Sequence, residues 1–234
     1  MGLTYDEIET LSKAVPGERT TIFGLERGAA SEGSVNQIFG VPRGVDDSRW
    51  PRTLQDEPMV HILTLDLRLA PGVGSKQARA IALFLADPDT NDALFEPVPA
   101  FARILYLSEE DIARGVIAVD SPAKAIASPR PYPYAEHSFA VAIPFNCTRV
   151  EIPSAIFGMW ERPEEPSEAL QEVASAVGSV LPGLAGGRPA SDEAPRMHPT
   201  GKFVLQFNES LVPINLGDAG TMFVFDDVAF FTSH

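Results

Sequence analysis

Two apolar runs near the end of the chain, FVLQFNESL (203–211) and the strand that follows Gly217, Asp218, Ala219 and Gly220, have a worn counterpart far upstream. There Gly40 and Pro42 lead to Trp50 and Pro51, then to the strand MVHILTLDLRL, a loop with Pro71, Gly72 and Gly74, and the strand ARAIALFLAD. Downstream, Gly187 and Pro189 take the places of Gly40 and Pro42, and His198 and Pro199 those of Trp50 and Pro51. LQFN (205–208) falls on LTLD (63–66), and MFVFDD (222–227) on ALFLAD (82–87). Apolar strands align by chance, but glycine and proline fix backbone shape, so their preserved order argues for an internal duplication. Units spanning 38–87 and 184–227 are expected.

Alternation within the strands divides their residues into two faces. Leu63, Leu65, Leu205 and Phe207 belong to a core, with His61 on the same face, and the first strand reads as half-buried. Thr64, Asp66, Gln206 and Asn208 face elsewhere and are the natural candidates for a groove shared between the units, unless they pair with nearby backbone or meet solvent.

The remaining chain predicts an α+β, β-rich fold: a single domain over 1–234, with mixed or antiparallel sheets and a few peripheral helices. Thr4 followed by Glu7 marks a helix over 4–15, and Ser167 with Leu170, Val173, Val177 and Leu181 marks another over 167–181 that packs across a sheet. SEEDIARG (108–115) reads as a helical turn or two. TTIFGL, ARILYL, 116–119, 139–145 and 150–157 read as further strands, and Pro153 assigns the last to an edge or a bulge.

Eighteen basic residues against 32 acidic give a net charge of −14, which repels phosphate backbones and anionic lipid. Nucleic acid and membrane are therefore set aside as partners, and a basic protein or peptide is the electrostatically favoured one. The single cysteine, Cys147, excludes an internal disulfide, and with no signal sequence or bilayer-length apolar run the chain is expected in the cytoplasm.

The strings WP (Trp50, Pro51), PMVHILTLDL and ALFLAD, together with VLQFNES and GDAGTMFVF, resemble the bacterial YwqG-like proteins, a domain of unknown function. The resemblance covers 40–87 and 186–225. It implies a β-rich single domain built by duplication, and it supplies no established activity. Where that family commonly carries Gln in its first strand this chain has Thr64, and Leu216 stands where Trp is common.

Chemistry is sparsely written. The turn around Asp218 leads into a strand, so it reads as a hairpin-like corner rather than a phosphate cradle. Asp66, Asp87, Asp226 and Asp227 have no metal-ligand spacing, nor have His61, His137 and His198; no metal or cofactor is expected. No Gly-x-Ser-x-Gly or Ser-x-x-Lys pattern occurs, and Cys147 follows an apolar run. Trp50 and Trp160 are either aromatic anchors or plugs over the core edge. Two functions follow. The first is a non-enzymatic protein- or peptide-binding module, in a special form an immunity-type protein against a basic toxin. Its site candidates are Thr64, Asp66, Gln206, Asn208, Trp50, Asp218 and Asp227. The alternative is a small hydrolase or metal-dependent enzyme using Asp66, Asp227 and a histidine.

Overall fold

A computed structural model describes residues 4–74, 77–86, 101–117, 139, 141–157, 159, 165–180, 182–189, 197, 200–214, 216 and 220–232. Among these residues ten strands form one antiparallel sheet: β1 (Arg19–Arg27), β2 (Gln37–Ile38), β3 (Val60–Asp66), β4 (Ala80–Leu85), β5 (Ala102–Leu107), β6 (Ile143–Pro153), β7 (Gly183–Ala185), β8 (Phe203–Asn208), β9 (Thr221–Phe225) and β10 (Ala229–Thr232). Their order is β10-β9-β8-β7-β1-β6-β2-β3-β4-β5, and the terminal strands β5 and β10 approach each other, so the sheet curls into a nearly closed barrel. Curling buries the alternate apolar residues of every long strand in one interior and leaves few open edges.

Phe23, Leu25, Leu63, Leu65, Leu205, Phe207, Met222 and Val224 belong to the main core. Outside the barrel, helices α1 (Tyr5–Lys13) and α3 (Glu168–Val180) cover a second cluster in which Ile8, Val173 and Val177 meet Ile22, Ile152, Leu184, Phe223 and Phe230. The expected capping box is present on α1: the Glu7 amide donates to Thr4 Oγ1, and the Thr4 amide donates to Glu7 Oε2 at 2.6 Å. The short helix α2 (Glu109–Ala113) is capped in the same way by Ser108 and Asp111. None of the described helices is long and apolar enough to cross a membrane.

Several expectations are corrected. β3 is not half-buried: Ile62 to Asp66 are all buried, because the loop carrying Phe39, Val45, Trp50 and Met59 covers its outer side. The segments 139–145 and 150–157 do not form two strands, the second at an edge. β6 runs unbroken between β1 and β2 in the middle of the sheet, and Pro153 is merely its last residue. Val116 and Ile117 are not in a strand. Of the mixed or antiparallel sheets expected, the structure shows one antiparallel sheet.

The flanks of the sheet share local detail. β3 bulges at Ile62, so that His61 pairs with Phe84 and Leu63 with Leu83; β8 bulges at Val204, so that Phe203 pairs with Phe225 and Leu205 with Val224. Leu83 thus answers to Val224, one position away from the sequence alignment. β2 is followed by Phe39 and Gly40 at φ 58° and 66°, and β7 by Gly186 and Gly187 at 75° and 68°.

Candidate functional site

Asp66 is fully buried at the end of β3, and its carboxylate is already occupied. Arg79, itself buried, forms an ion pair with Oδ1, and the more exposed Arg68 approaches Oδ2 at 3.4 Å. The amides of Arg68 and Val35 donate to Oδ1 and Oδ2 at 3.0 and 3.3 Å, while the Asp66 amide donates to Asn36 Oδ1 at 2.7 Å. Arg79 also lies 2.9 Å from Glu109, which ties α2 to the barrel wall. A buried carboxylate held by two guanidiniums and two amides is a joint between segments. The bond from the amide of residue i+2 makes it an Asx turn that stops the strand.

Asn208 does the same for β8. Its Oδ1 accepts from the Ser210 amide at 2.8 Å, and its backbone oxygen accepts from Leu211, as that of Asp66 accepts from Leu69. Next to these turns, Arg27 Nε donates to Leu211 O at 2.7 Å and Cys147 Sγ donates to Leu69 O at 3.6 Å. Burial and, secondarily, the charge of Asp66 push the Cys147 thiol up to about 12, which keeps it protonated and poorly nucleophilic.

His61 is not on the core face. The bulge at Ile62 turns it to the side of Thr64, where Nε2 lies 2.9 Å from Thr64 Oγ1 and Nδ1 sits 3.1 and 3.0 Å from the carbonyl oxygens of Phe39 and Gly40. Two carbonyls can only accept, so Nδ1 carries the proton and the Thr64 hydroxyl donates to Nε2. Burial drives the His61 pKa down to about 4, against the smaller opposing effect of those backbone bonds. Neutral and enclosed beside Phe84, this histidine holds the turn after β2 against β3.

The groove predicted between Thr64, Asp66, Gln206 and Asn208 does not form. β3 and β8 have four strands between them in the sheet order, and four again across the β5–β10 closure. Leu63 and Leu205 point into the barrel, so the polar neighbours point outward from opposite walls. Gln206 is buried on its own wall. Trp50 is a plug: it is 3% exposed, its Nε1 donates to Met59 O at 2.8 Å, and its ring meets Phe84 edge-on at 5.2 Å. Asp227 is exposed in the turn between β9 and β10, while the neighbouring Asp226 accepts from the Lys202 amide at 3.2 Å. Asp218, with Asp87, His137, His198 and Trp160, lies outside the described residues.

Sequence reasoning missed Asn36, Arg79 and Arg27. The signal for Arg79 was a charged residue immediately before a wholly apolar strand, which is where a buried carboxylate on the neighbouring strand needs a partner. Among the described residues no three His, Cys, Asp or Glu side chains come together in a way that could hold a metal ion. Asp46, Arg49, Asp111 and Arg114 do converge, and burial is outweighed by hydrogen bonds from Ser108, Arg49 and Arg114 that hold Asp111 down at about 2. That network fastens α2 to the loop through Gly44. No family model matches the chain, and no curated protein does.

Proposed function

We propose that this chain is a non-enzymatic binding module that takes a basic protein or peptide on its acidic outer surface. The observation carrying the reading is the distribution of charge. The two helices that pack side by side over the barrel present Asp6, Glu7 and Glu9 on α1 and Glu168 and Glu172 on α3, and Lys13, bridged to Glu9 at 3.6 Å, is their sole cation. A net charge of −14 adds a long-range field of the same sign. Of the groups that the enzyme reading names, Asp66 and the described histidine His61 are spent on holding loops to the barrel. An immunity-type role against a basic toxin is a special case of this reading, and a cytoplasmic setting belongs to it.

The test is titration of an arginine- and lysine-rich peptide, and of a small basic protein, into wild type and into the charge reversal Glu168→Lys with Glu172→Lys. Binding that weakens at least tenfold in the double variant and falls with salt supports the proposal. Equal binding by both proteins, or none at low salt, refutes it.

We also propose that the chain arose by internal duplication and that its kin are the YwqG-like proteins. The duplication is supported by the paired bulges at Ile62 and Val204, the paired positive-φ turns, and the paired Asx turns at Asp66 and Asn208. Kinship rests on the strand and turn strings quoted above, and a search seeded with the two units separately is its test. Recovery of YwqG-like sequences by both units supports it, and recovery by neither removes it.

A further inference from the structure

The two halves of the chain are threaded through one another. β1 belongs to the first half, yet both of its neighbours, β6 and β7, come from the second: Phe23 and Gly24 pair with Ala185 and Leu184, and Thr20 to Arg27 pair with Ile152 to Phe145. β6 belongs to the second half and sits between β1 and β2, with Pro144 and Ile143 opposite Gln37 and Ile38. Each half therefore gives its first strand to the other.

The exchange is reciprocal in register. If β6 stands to β2 as β1 stands to β7, Ile143 corresponds to Phe23, Pro144 to Gly24 and Asn146 to Glu26. Glu26 and Asn146 are also directly opposite each other in the central pair, as equivalent residues must be on a local two-fold axis. The same mapping sends Arg27 to Cys147 and Leu211 to Leu69, the partners in the two matching side-chain to carbonyl bonds.

We infer that the seam along β1 and β6 is a subunit-type interface, and that the partner it fits is the complementary half, whether from the same chain or from a second copy. Opposite halves are favoured over like halves at the axis. Two first halves would oppose Glu26 to Glu26 in the central pair, whereas the native pairing sets Glu26 against neutral Asn146. The inference rests on the proposed duplication together with the strand pairing, and is independent of the binding proposal.

A protease site placed in the connection between α2 and β6 tests it on the full chain. After complete cleavage the fragments are expected to co-elute in equimolar ratio at the mass of the uncut protein, and to rejoin after dilution from urea. Mixed with an isotopically heavy cut sample, they should trade partners at the rate at which the β1 and β6 amides exchange with deuterium, because leaving the complex requires opening those ladders. Fragments that separate without denaturant, that refold alone and do not rejoin, or that trade partners while those amides stay protected would each overturn it. Glu26→Gln in the isolated exchange experiment should raise the share of first-half pairs; an unchanged share would overturn the role given to the charge.

Discussion

At the scale of single residues, the buried charges answer a quantitative question. Removing one partner of a buried ion pair strands the other, at about 3–5 kcal/mol. Asp66→Ala leaves buried Arg79 with only the exposed Glu109 for a partner and two amides without an acceptor, and is expected to lose about that amount in urea unfolding. Asp66→Asn keeps the Asx turn, as Asn208 does in β8, and should cost clearly less. His61 gives a pH signature. The unfolded chain binds its proton near 6.5 and the folded chain near 4, so between those values the unfolded state holds more protons. Stability should therefore fall as pH drops from about 6.5 to about 4, by on the order of 3 kcal/mol, and level off below. Melting curves of wild type and His61→Phe across that window provide the check, since the phenylalanine, which β8 carries at the matching bulge as Phe203, should flatten this part of the profile. Phe39 shows which effect wins where two compete. A left-handed residue with a side chain costs about 1–3 kcal/mol, but removal of a buried phenylalanine costs about 3–5. Phe39 is fully buried and packs edge-on against Phe139 at 4.8 Å, so Phe39→Gly should destabilise despite relieving the backbone.

At the scale of elements, the helices and most strands were legible because their signals are local, the long central β6 being the exception. Thr4 and Glu7 announce α1, Ser108 announces α2, and the 3.6-residue spacing of Leu170, Val173 and Val177 announces α3. What local pattern could not convey was a bulge. One extra residue at Ile62 moves His61 to the opposite face, and strict alternation places it in the core. Nor could it convey that a three-residue strand such as β7, reading GLA, would be held by neighbours on both sides. Its glycine has a packing reason instead: a Cβ on Gly183 would stand 2.7 Å from Leu211. Gly24 is the corresponding contact for a helix. A Cβ there would run into the ring of Tyr5, whose hydroxyl is pushed up first by burial and then by Glu26 and Cys147. Gly24→Ala should lift the first turn of α1 from the sheet while the barrel persists. Hydrogen exchange is expected to show lost protection in α1 with that of β3 and β4 unchanged; uniform loss would mean that α1 is not separable.

At the scale of the whole molecule, the β-rich single-domain character could be read from the strand and turn pattern, but not where β3 and β8 stand relative to each other. A groove between them presumes that they lie face to face. With four strands between them in either direction, β3 and β8 are opposite walls of one barrel, which sends Thr64 and Gln206 outward in different directions. The non-local pairing responsible spans most of the chain and leaves no local mark. Charge acts at this scale as well. Fourteen uncompensated negative charges repel across the molecule, whereas the exposed pairs Lys13–Glu9, Arg52–Asp56 and Arg149–Glu151 contribute about 0–1 kcal/mol each. Moving from about 0.01 M to 0.15 M salt shortens the screening length from about 30 to 8 Å, and weakens both. Repulsion is the larger sum, so the melting temperature at pH 7 should rise with sodium chloride. Near pH 4.6, where the sequence carries no net charge, the repulsive part vanishes and only the attractive pairs remain to be screened. The salt effect should then disappear or reverse, and a rise of equal size at both pH values would show that it comes from burial of apolar surface rather than from charge.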